Sequence, residues 1–302
     1  MIISASRRTD IPALYSDWLL KRLEAGFVMF PNPRNAKRLG RVTLSPELVD
    51  CIVFWTKNPV PMLDKLQKID AMGYFYYFLF TITPYDSVIE PGLPPKAALM
   101  DTFAELARRG KAVIWRYDPV IIDELHTVRW HIEQFERMCE RLRPFMQRCV
   151  ISFIDPYKSI KKYFRAMTAA EITEIAAGFS PIAARYGLSL VTCAEEIGLE
   201  RYNIGHSACI DVDFTAGIIG RPVAAKRAVG QRSACRCAES IDIGAYDTCV
   251  NGCRYCYAVS GGVRAVRAHK SHDINAPMLI GYPSGGEIIT DRTPAAQLSL
   301  CE

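Results

Sequence analysis

The chain has 302 residues, a length that a single α/β barrel domain reaches, so one large domain is expected. Half of the residues are hydrophobic and 23% are charged, which excludes an intrinsically disordered protein. The formal charge of +5 is spread along the chain without a basic run, so charge alone identifies no nucleic-acid partner.

The first ten residues lack the basic and then apolar layout of a signal peptide, and no apolar run of about 18 residues follows. We therefore expect a cytoplasmic protein with no membrane partner. In the cytosol thiols are kept reduced, so the 11 cysteines favour metal binding or catalysis over a disulfide framework.

Short apolar segments rich in β-branched and aromatic residues alternate with segments of helical period, which predicts repeated β-α units around a parallel sheet. Strands are expected at 2–6, 51–56, 74–83, 112–116, 149–154, 188–193, 208–212 and 241–246. Helices are expected at 11–26, 59–73, 96–110, 127–143 and 169–187, and the proline-rich stretches 30–35 and 83–95 are expected to be elaborated loops.

Eight strands with intervening helices predict an α/β fold that is (β/α)8-like or a partial TIM-type barrel, and a flat doubly wound sheet is the alternative. Residues 1–248 would form the barrel body. Residues 249–302 would supply a cysteine-bearing loop, a helix that starts near Cys256 and a C-terminal tail, all packed on the same domain.

Polar residues follow most of the predicted strands, and in barrel enzymes the carboxyl ends of the strands carry the chemistry. Each residue alone has a simpler explanation, because Thr9, Asp10, Asn58 and Asp155 precede helical segments and are suited to capping them. Taken together, the set favours a site for an anionic or carboxylate-bearing ligand. The candidate ligand-binding residues are Arg7, Arg8, Lys57, Arg116 and Glu195.

Five of the 11 cysteines lie within residues 235–256, and three of them have the spacing C-x3-C-x2-C. A loop of this length, with Gly252 for a tight turn, lets the thiolates of Cys249, Cys253 and Cys256 reach three irons of one iron-sulfur cluster. A four-iron cluster normally has four protein ligands. Three ligands leave one iron open for another molecule.

The run Cys249-Val-Asn-Gly-Cys253-Arg-Tyr-Cys256 resembles the C-x3-C-x-aromatic-C signature of the radical S-adenosylmethionine superfamily. The resemblance implies a 4Fe-4S cluster on the three cysteines. It also implies S-adenosyl-L-methionine on the open iron, Tyr255 against the adenine, and a 5′-deoxyadenosyl radical that abstracts hydrogen. The tail from Tyr255 to Ala258 is also similar to the motif of spore photoproduct lyase, a DNA-repair member of the superfamily.

The superfamily carries this motif after its first barrel strand, whereas here it lies in the last fifth of the chain, which implies a circularly permuted radical SAM barrel. The chain also resembles an uncharacterised bacterial family described by radical-SAM-like C-terminal cysteines. That resemblance is carried by residues 4–12, 54–59 and 115–119 together with the cysteine cluster. It brings no known reaction.

The remaining motifs leave alternatives open. The superfamily's Gly-Gly-Glu element has a counterpart in Gly285, Gly286 and Glu287, and we interpret it as an ordinary loop. Cys235 and Cys237 could bind a second metal, take part in turnover or line the cluster pocket. A structural zinc site built from four of the five clustered cysteines fits zinc-knuckle spacing poorly.

The other cysteines and the histidines carry no predicted chemistry. Cys51, Cys149, Cys193 and Cys209 are expected to be buried as small hydrophobic residues, although the last two lie near the proposed rim. Cys139 lies on a predicted helix and Cys301 near the end of the chain. His126 and His131 are expected on a helix surface.

The leading hypothesis is therefore a radical S-adenosylmethionine enzyme that acts on an unidentified small-molecule or nucleic-acid substrate, with a reducing electron donor such as flavodoxin or ferredoxin. The alternative is a zinc- or cluster-stapled barrel that binds nucleic acid without radical chemistry.

Overall fold

A computed structural model describes residues 1–33, 35–157 and 159–292. The strands are β1 Ile2–Ala5, β2 Phe27–Asn32, β3 Asn35–Thr43, β4 Cys51–Thr56, β5 Tyr76–Thr81, β6 Val113–Val120, β7 Arg148–Phe153, β8 Ser189–Cys193, β9 Gly205–Ser207, β10 Ile241–Asp242 and β11 Ile288–Asp291. The α-helices are α1 Ile11–Leu14, α2 Ser16–Ala25, α3 Leu66–Ala71, α4 Lys96–Arg108, α5 Val128–Leu142, α6 Ala169–Arg185, α7 Val212–Ile219 and α8 Gly262–Lys270.

The main sheet has eight strands in the order β10-β1-β4-β5-β6-β7-β8-β9. Every neighbouring pair is parallel. From β1 onward the order follows the chain, and the last strand, β10, lies beside the first. The predicted α/β fold with a parallel sheet and flanking helices is confirmed. Because all eight strands run the same way, their carboxyl ends meet at one edge.

Both faces of this sheet are buried, which is why its strands read as nearly continuous apolar runs. On one face Ile52, Phe54, Phe78 and Trp115 pack in a large core against the helices that link the strands. The opposite face, which we call the inner face, carries a second apolar cluster. Its members include Ile2, Val53, Tyr77, Leu79, Ile114 and Val150, and α7 with the segments around residues 208–212 and 235–238 covers them.

The two edge strands of the main sheet are β9 and β10, yet the segments beside them meet. The backbone N–H of Ala238, just before β10, donates to the carbonyl of Ile210, just after β9, at 2.9 Å. The sheet therefore curves until irregular backbone from its two edges comes into hydrogen-bonding contact.

A second, three-stranded sheet has the order β11-β3-β2 and packs beside α2. The sequence predicted an irregular loop at 30–35, which was wrong, because β2 and β3 form an antiparallel hairpin there. Pro31 and Pro33 made this segment resemble a loop in the sequence. Pro31 is tolerated because it lies where the register shifts, a position that does not need every backbone donor.

Three other local predictions need correction. The segment 208–212 is not a strand, and the strand of this region is β9, which precedes it. The apolar residues Cys209 and Ile210 are instead buried against the inner face of the sheet. The helix expected to begin near Cys256 begins at Gly262. The helix expected at 11–26 is interrupted at Tyr15, which ends α1 and precedes α2.

The two histidines of the α5 region were predicted on a helix surface, and that prediction was wrong. His131 is fully buried, with Nδ1 2.7 Å from the Tyr117 hydroxyl and Nε2 2.8 Å from the Ile121 carbonyl. Burial lowers the pKa of His131 to about 4, so the ring is neutral at pH 7.

None of the helices in the described ranges is long and apolar enough to cross a lipid bilayer.

Candidate metal and cofactor site

The three cysteines of the C-x3-C-x2-C motif lie on a loop that follows β10. Hydrogen bonds from two earlier parts of the chain hold this loop in place. The Tyr15 hydroxyl donates to the Thr248 carbonyl at 2.6 Å. Two backbone hydrogen bonds join the loop to the segment after β5. Gly92 N–H donates to the Asn251 carbonyl at 2.9 Å, and Arg254 N–H donates to the Ile89 carbonyl at 3.0 Å. We call residues 248–259 the cysteine loop.

Two glycines make this arrangement possible. Gly252 has a φ of +69°, which favours glycine in the tight turn between Cys249 and Cys253, as the sequence predicted. Gly92 has no side chain because the loop backbone passes directly over it. A Cβ on Gly92 would lie 2.6 Å from the Asn251 carbonyl oxygen.

Cys249, Cys253 and Cys256 are half-buried residues, and their thiols are close enough to influence one another electrostatically. Burial raises all three pKa values, that of Cys253 to about 12, and for Cys249 and Cys253 the neighbouring thiols add to the increase. Backbone N–H groups point at two of the sulfurs, from Asn251 to Cys249 and from Ala258 and Val259 to Cys256. A bound metal would supply the positive charge that holds these thiols as thiolates.

Glu90 lies beneath the loop with a fully buried side chain. Its carboxylate accepts hydrogen bonds from Lys57 Nζ at 2.8 Å, from Thr83 Oγ1 at 2.9 Å, and from Lys96 and the Tyr255 hydroxyl. Burial alone would raise the pKa of Glu90, but the two lysines lower it to about 2. The sequence analysis missed this residue because it lies within a predicted loop rather than at a strand end.

Asp10 joins the ends of β1 and β4 to the cysteine loop. Its carboxylate caps α1 through Ala13 N–H at 3.0 Å, as predicted, and also accepts Lys57 N–H at 2.7 Å and Asn251 Nδ2 at 3.3 Å. Burial raises the pKa of Asp10 to about 6 despite these donors. The Asp10 side chain thus positions the backbone of Lys57 relative to the loop.

Some polar groups at this edge have no hydrogen-bond partner within the described part of the chain. They are Arg7 Nη2, Thr9 Oγ1 and Trp55 Nε1, each buried at or beyond the end of β1 or β4. The guanidinium groups of Arg7 and Arg116 lie over the Trp55 ring, at 5.2 and 5.1 Å from its centre. Buried groups of this kind are normally satisfied, so they are suited to receive a polar ligand.

Four of the five candidate ligand-binding residues follow strands at the carboxyl edge, Arg116 lies within β6, and the five do not converge on one point. Of the five, Lys57 acts on the thiols of the cysteine loop. Its positive charge offsets part of the increase that burial causes in the pKa values of Cys253 and Cys256. Arg7 contacts the loop through its carbonyl, which accepts the Tyr257 hydroxyl at 2.8 Å. Arg8 lies over the Tyr246 ring.

The other two candidates point elsewhere. Arg116 donates to Asp118 and to Cys209, so it faces the inner side of the sheet. Glu195 accepts the Phe153 N–H at 3.0 Å, and burial raises its pKa to about 7.

The Gly285-Gly286-Glu287 sequence forms an exposed turn before β11. The Glu287 carboxylate accepts hydrogen bonds from Ser284 N–H and Gly285 N–H, both at 3.0 Å. Its carboxylate is thus engaged within its own turn in the small sheet, consistent with the interpretation of an ordinary loop.

A second group of cysteines lies on the inner face. The sulfur atoms of Cys193, Cys209 and Cys237 all lie within 4.8 Å of one another, and Cys235 contacts Cys237. Cys193 and Cys209 are buried as expected, but the sequence did not predict that they would join the C-x-C pair. Cys51, Cys139 and Cys149 are buried within the apolar cores. Cys301 lies outside the described residues.

Comparison with curated proteins and with solved structures found no match. A family model described as a domain of unknown function, DUF1848, matches residues 2–258. The match spans the whole main sheet, the three cysteines of the cysteine loop and the inner-face cysteines, and it ends before α8. The chain therefore belongs to the DUF1848 family.

Proposed function

We propose that this protein is a radical S-adenosylmethionine enzyme that holds a 4Fe-4S cluster on Cys249, Cys253 and Cys256. One observation carries the proposal. The three thiols share a loop that is hydrogen-bonded to the carboxyl edge of a parallel sheet, beside Lys57 and beside buried polar groups that lack a partner. This edge is where ligands bind in barrel enzymes.

The strand order supports a circularly permuted barrel. β10, which precedes the motif, lies at the start of the spatial order, and β1 to β9 of the main sheet follow it in sequence. In the superfamily that the motif resembles, the motif follows the first barrel strand. β10 would occupy that position in space although it is last in the chain. Contact between Ala238 and Ile210 near the two sheet edges is consistent with a partial barrel.

The residues at the site suit both components of the cofactor. A cluster with three protein thiolates needs donors that orient the sulfurs, and the N–H groups of Asn251, Ala258 and Val259 supply them. Arg7 is a cation suited to a carboxylate, and Arg7 Nη2, Thr9 Oγ1 and Trp55 Nε1 are buried polar atoms without a partner in the described chain. Lys57 is paired with Glu90 beside them. When bound and reduced by an external electron donor, the cluster would supply the one electron that cleaves S-adenosyl-L-methionine to methionine and the 5′-deoxyadenosyl radical, which would abstract hydrogen from the substrate.

Tyr255 would have a positioning role in this arrangement. Its ring is buried beneath the loop, Lys57 lies 5.2 Å from the ring centre, and its hydroxyl is held by Glu90. These contacts fix the backbone between Cys253 and Cys256, which is where the resemblance expects adenine to bind.

An open pocket of about 480 Å³ lies next to the loop and is lined by Tyr157, Ser159, Tyr246 and Tyr257. The three tyrosines are 41% to 48% exposed, and the rings of Tyr157 and Tyr257 are 5.5 Å apart. An exposed aromatic wall of this kind suits a planar substrate, and we propose it as the substrate entrance.

The proposal is tested by the absorption and electron-paramagnetic-resonance spectra of anaerobically reconstituted protein, recorded with and without S-adenosyl-L-methionine. We expect about four irons per chain at this site and a spectral change when the cofactor is added. We also expect 5′-deoxyadenosine after reduction. The Cys253→Ala substitution should abolish the bound iron, the spectral change and the formation of 5′-deoxyadenosine.

Cys139→Ala is the matched control, because Cys139 is buried in α5 away from the loop, and it should keep the cluster. A wild-type protein that stays colourless after reconstitution holds no iron-sulfur cluster, and this result would contradict the proposal. If it also bound nucleic acid in a salt-dependent way, the alternative of a stapled nucleic-acid-binding barrel would replace it.

A further inference from the structure

We propose that Cys193, Cys209, Cys235 and Cys237 form a second metal centre, separate from the cysteine loop, that holds a single zinc ion in a tetrahedron of thiolates. The inference does not depend on radical chemistry. It rests on the geometry of the four sulfurs and on the groups around them.

The separation of the sulfurs indicates one metal ion rather than a cluster. Tetrahedral zinc with Zn–S bonds of about 2.3 Å places its sulfurs about 3.8 Å apart. The sulfurs of Cys193, Cys209 and Cys237 all lie within 4.8 Å of one another, a spread that includes this distance. The sulfurs of Cys193 and Cys209 are 2.8 Å apart, so a bound zinc ion would move this pair apart by about 1 Å. Thiolates on different irons of a cubane stand farther apart, because the irons and bridging sulfides lie between them.

Cys237 is the centre of the group. Its sulfur contacts the thiols of Cys193, Cys209 and Cys235. Cys235 is not among the three sulfurs that lie within 4.8 Å of one another, and its contact with Cys237 places it next to them as the fourth ligand. Three separate parts of the chain contribute. Cys193 ends β8, Cys209 follows β9, and the C-x-C pair precedes β10.

The surroundings supply what a thiolate centre needs. The Ile210 N–H points at the Cys237 sulfur, and the Cys237 N–H points at the Cys235 sulfur, as backbone donors do around metal-bound thiolates. The buried guanidinium of Arg116 donates to Cys209. Arg116 is already ion-paired with Asp118, and its charge would also offset part of the net negative charge that a tetrathiolate zinc centre carries.

Ordinary burial does not explain this arrangement. A buried cysteine that serves as a small hydrophobic residue needs no sulfur neighbour, and Cys51 shows this on the same inner face, where it packs in the apolar cluster. Four thiols that converge beside a guanidinium form a ligand set.

The position suggests what the metal does. The last hydrogen-bonded strands of the main sheet are β9 at one edge and β10 at the other. The four cysteines come from β8, from just after β9 and from just before β10, so one zinc would fasten the two edges where strand pairing does not. Zinc would thus act as a structural staple that holds the curvature of the sheet.

Metal analysis of protein purified in air, before any cluster reconstitution, tests this inference. We expect about one zinc per chain in the wild type and in the Cys249→Ala, Cys253→Ala, Cys256→Ala triple variant. Cys237→Ser should reduce zinc at least about tenfold. Cys51→Ala is the control, because it removes a buried inner-face thiol outside the ligand set and should keep the zinc.

A second measurement covers the case in which Cys237→Ser does not fold. Wild type stripped of zinc and given Co²⁺ should show thiolate-to-cobalt charge transfer and the visible bands of tetrahedral cobalt. Folded wild type without zinc and without these bands would overturn the inference, as would zinc that survives in Cys237→Ser. Iron that persists in the triple variant and is lost in Cys237→Ser would also overturn it, in favour of a cluster.

The two proposals fail separately. If the reconstituted wild type shows zinc but no iron signals, the proposed radical enzyme is rejected and the zinc centre stands. Loss of zinc with iron retained would do the reverse.

Discussion

Glu90 is a buried carboxylate beneath the cysteine loop, and its partners explain how its charge is stabilised there. Two lysines, a threonine hydroxyl and a tyrosine hydroxyl surround it. The folded protein holds its pKa at about 2, below the ordinary value of 4.5, because the lysine charges outweigh the effect of burial. A depressed carboxyl pKa contributes stability above the unfolded-state value and loses it as the pH falls toward the folded-state value.

Glu90→Gln should therefore destabilise the protein by about 3 kcal/mol at neutral pH, because it leaves two lysines without their counter-charge. The difference from wild type should shrink as the pH falls from about 5 to about 2, since wild type loses the same interaction there. Urea unfolding at several pH values measures this. Glu105→Gln, which breaks an exposed pair with Arg109, should change stability by less than about 1 kcal/mol. A pH-independent difference for Glu90→Gln would contradict the assignment.

At the scale of elements, the cysteine loop is shaped by its contacts with the segment after β5 rather than by a helix of its own. Gly92 and Ile89 bond to the loop backbone on either side of Gly252. The loop backbone lies so close to Gly92 that no side chain fits between them. The position of the three thiols thus depends on a segment some 160 residues earlier in the chain.

Gly92→Ala should displace the loop, because the new Cβ would meet backbone atoms that have no room to move. We expect a loss of about 1 to 3 kcal/mol in the free energy of unfolding and a lower iron content after reconstitution. Gly217→Ala is the matched control, since Gly217 lies within α7 and an added Cβ meets nothing within 4 Å. Equal iron contents in the two variants would show that the contact does not position the thiols.

At the scale of the whole molecule, the part of the chain after the cysteine loop packs back on its beginning. The Trp18 indole, fully buried in α2, donates to the Ala276 carbonyl at 2.9 Å, and Met29 N–H donates to the Pro277 carbonyl at 2.9 Å. β11 pairs with β3. This part lies beyond the residues that the family model matches.

Ending the chain after Gly261 should therefore cost about 3 kcal/mol or more, because it uncovers Trp18 and apolar surface of the small sheet. We expect a lower melting temperature and red-shifted tryptophan fluorescence. Lys21→Ala, which removes only an exposed contact with Asn275, should leave both unchanged. A truncated chain as stable as the full one would mean that this packing contributes little.

The parallel α/β class, most strand positions, the Asp10 cap of α1 and the spacing of Cys249, Cys253 and Cys256 follow from the sequence alone. These features are local, since apolar periodicity, capping residues and short loops depend on neighbours in the chain. The β2-β3 hairpin was missed because Pro31 and Pro33 hide its pattern, and the burial of His131 was missed because periodicity does not say what a helix packs against.

Only the tertiary structure decided that β10 lies beside β1, that Glu90 and Asp10 lie under the cysteine loop, and that Cys193 and Cys209 meet the C-x-C pair. Residues far apart in the chain make each of these contacts, and nothing in their spacing encodes the pairing. The physical reason is that a curved parallel sheet brings its carboxyl ends, and the segments beside its two edges, into contact, whereas sequence periodicity reports only which side of each strand is buried.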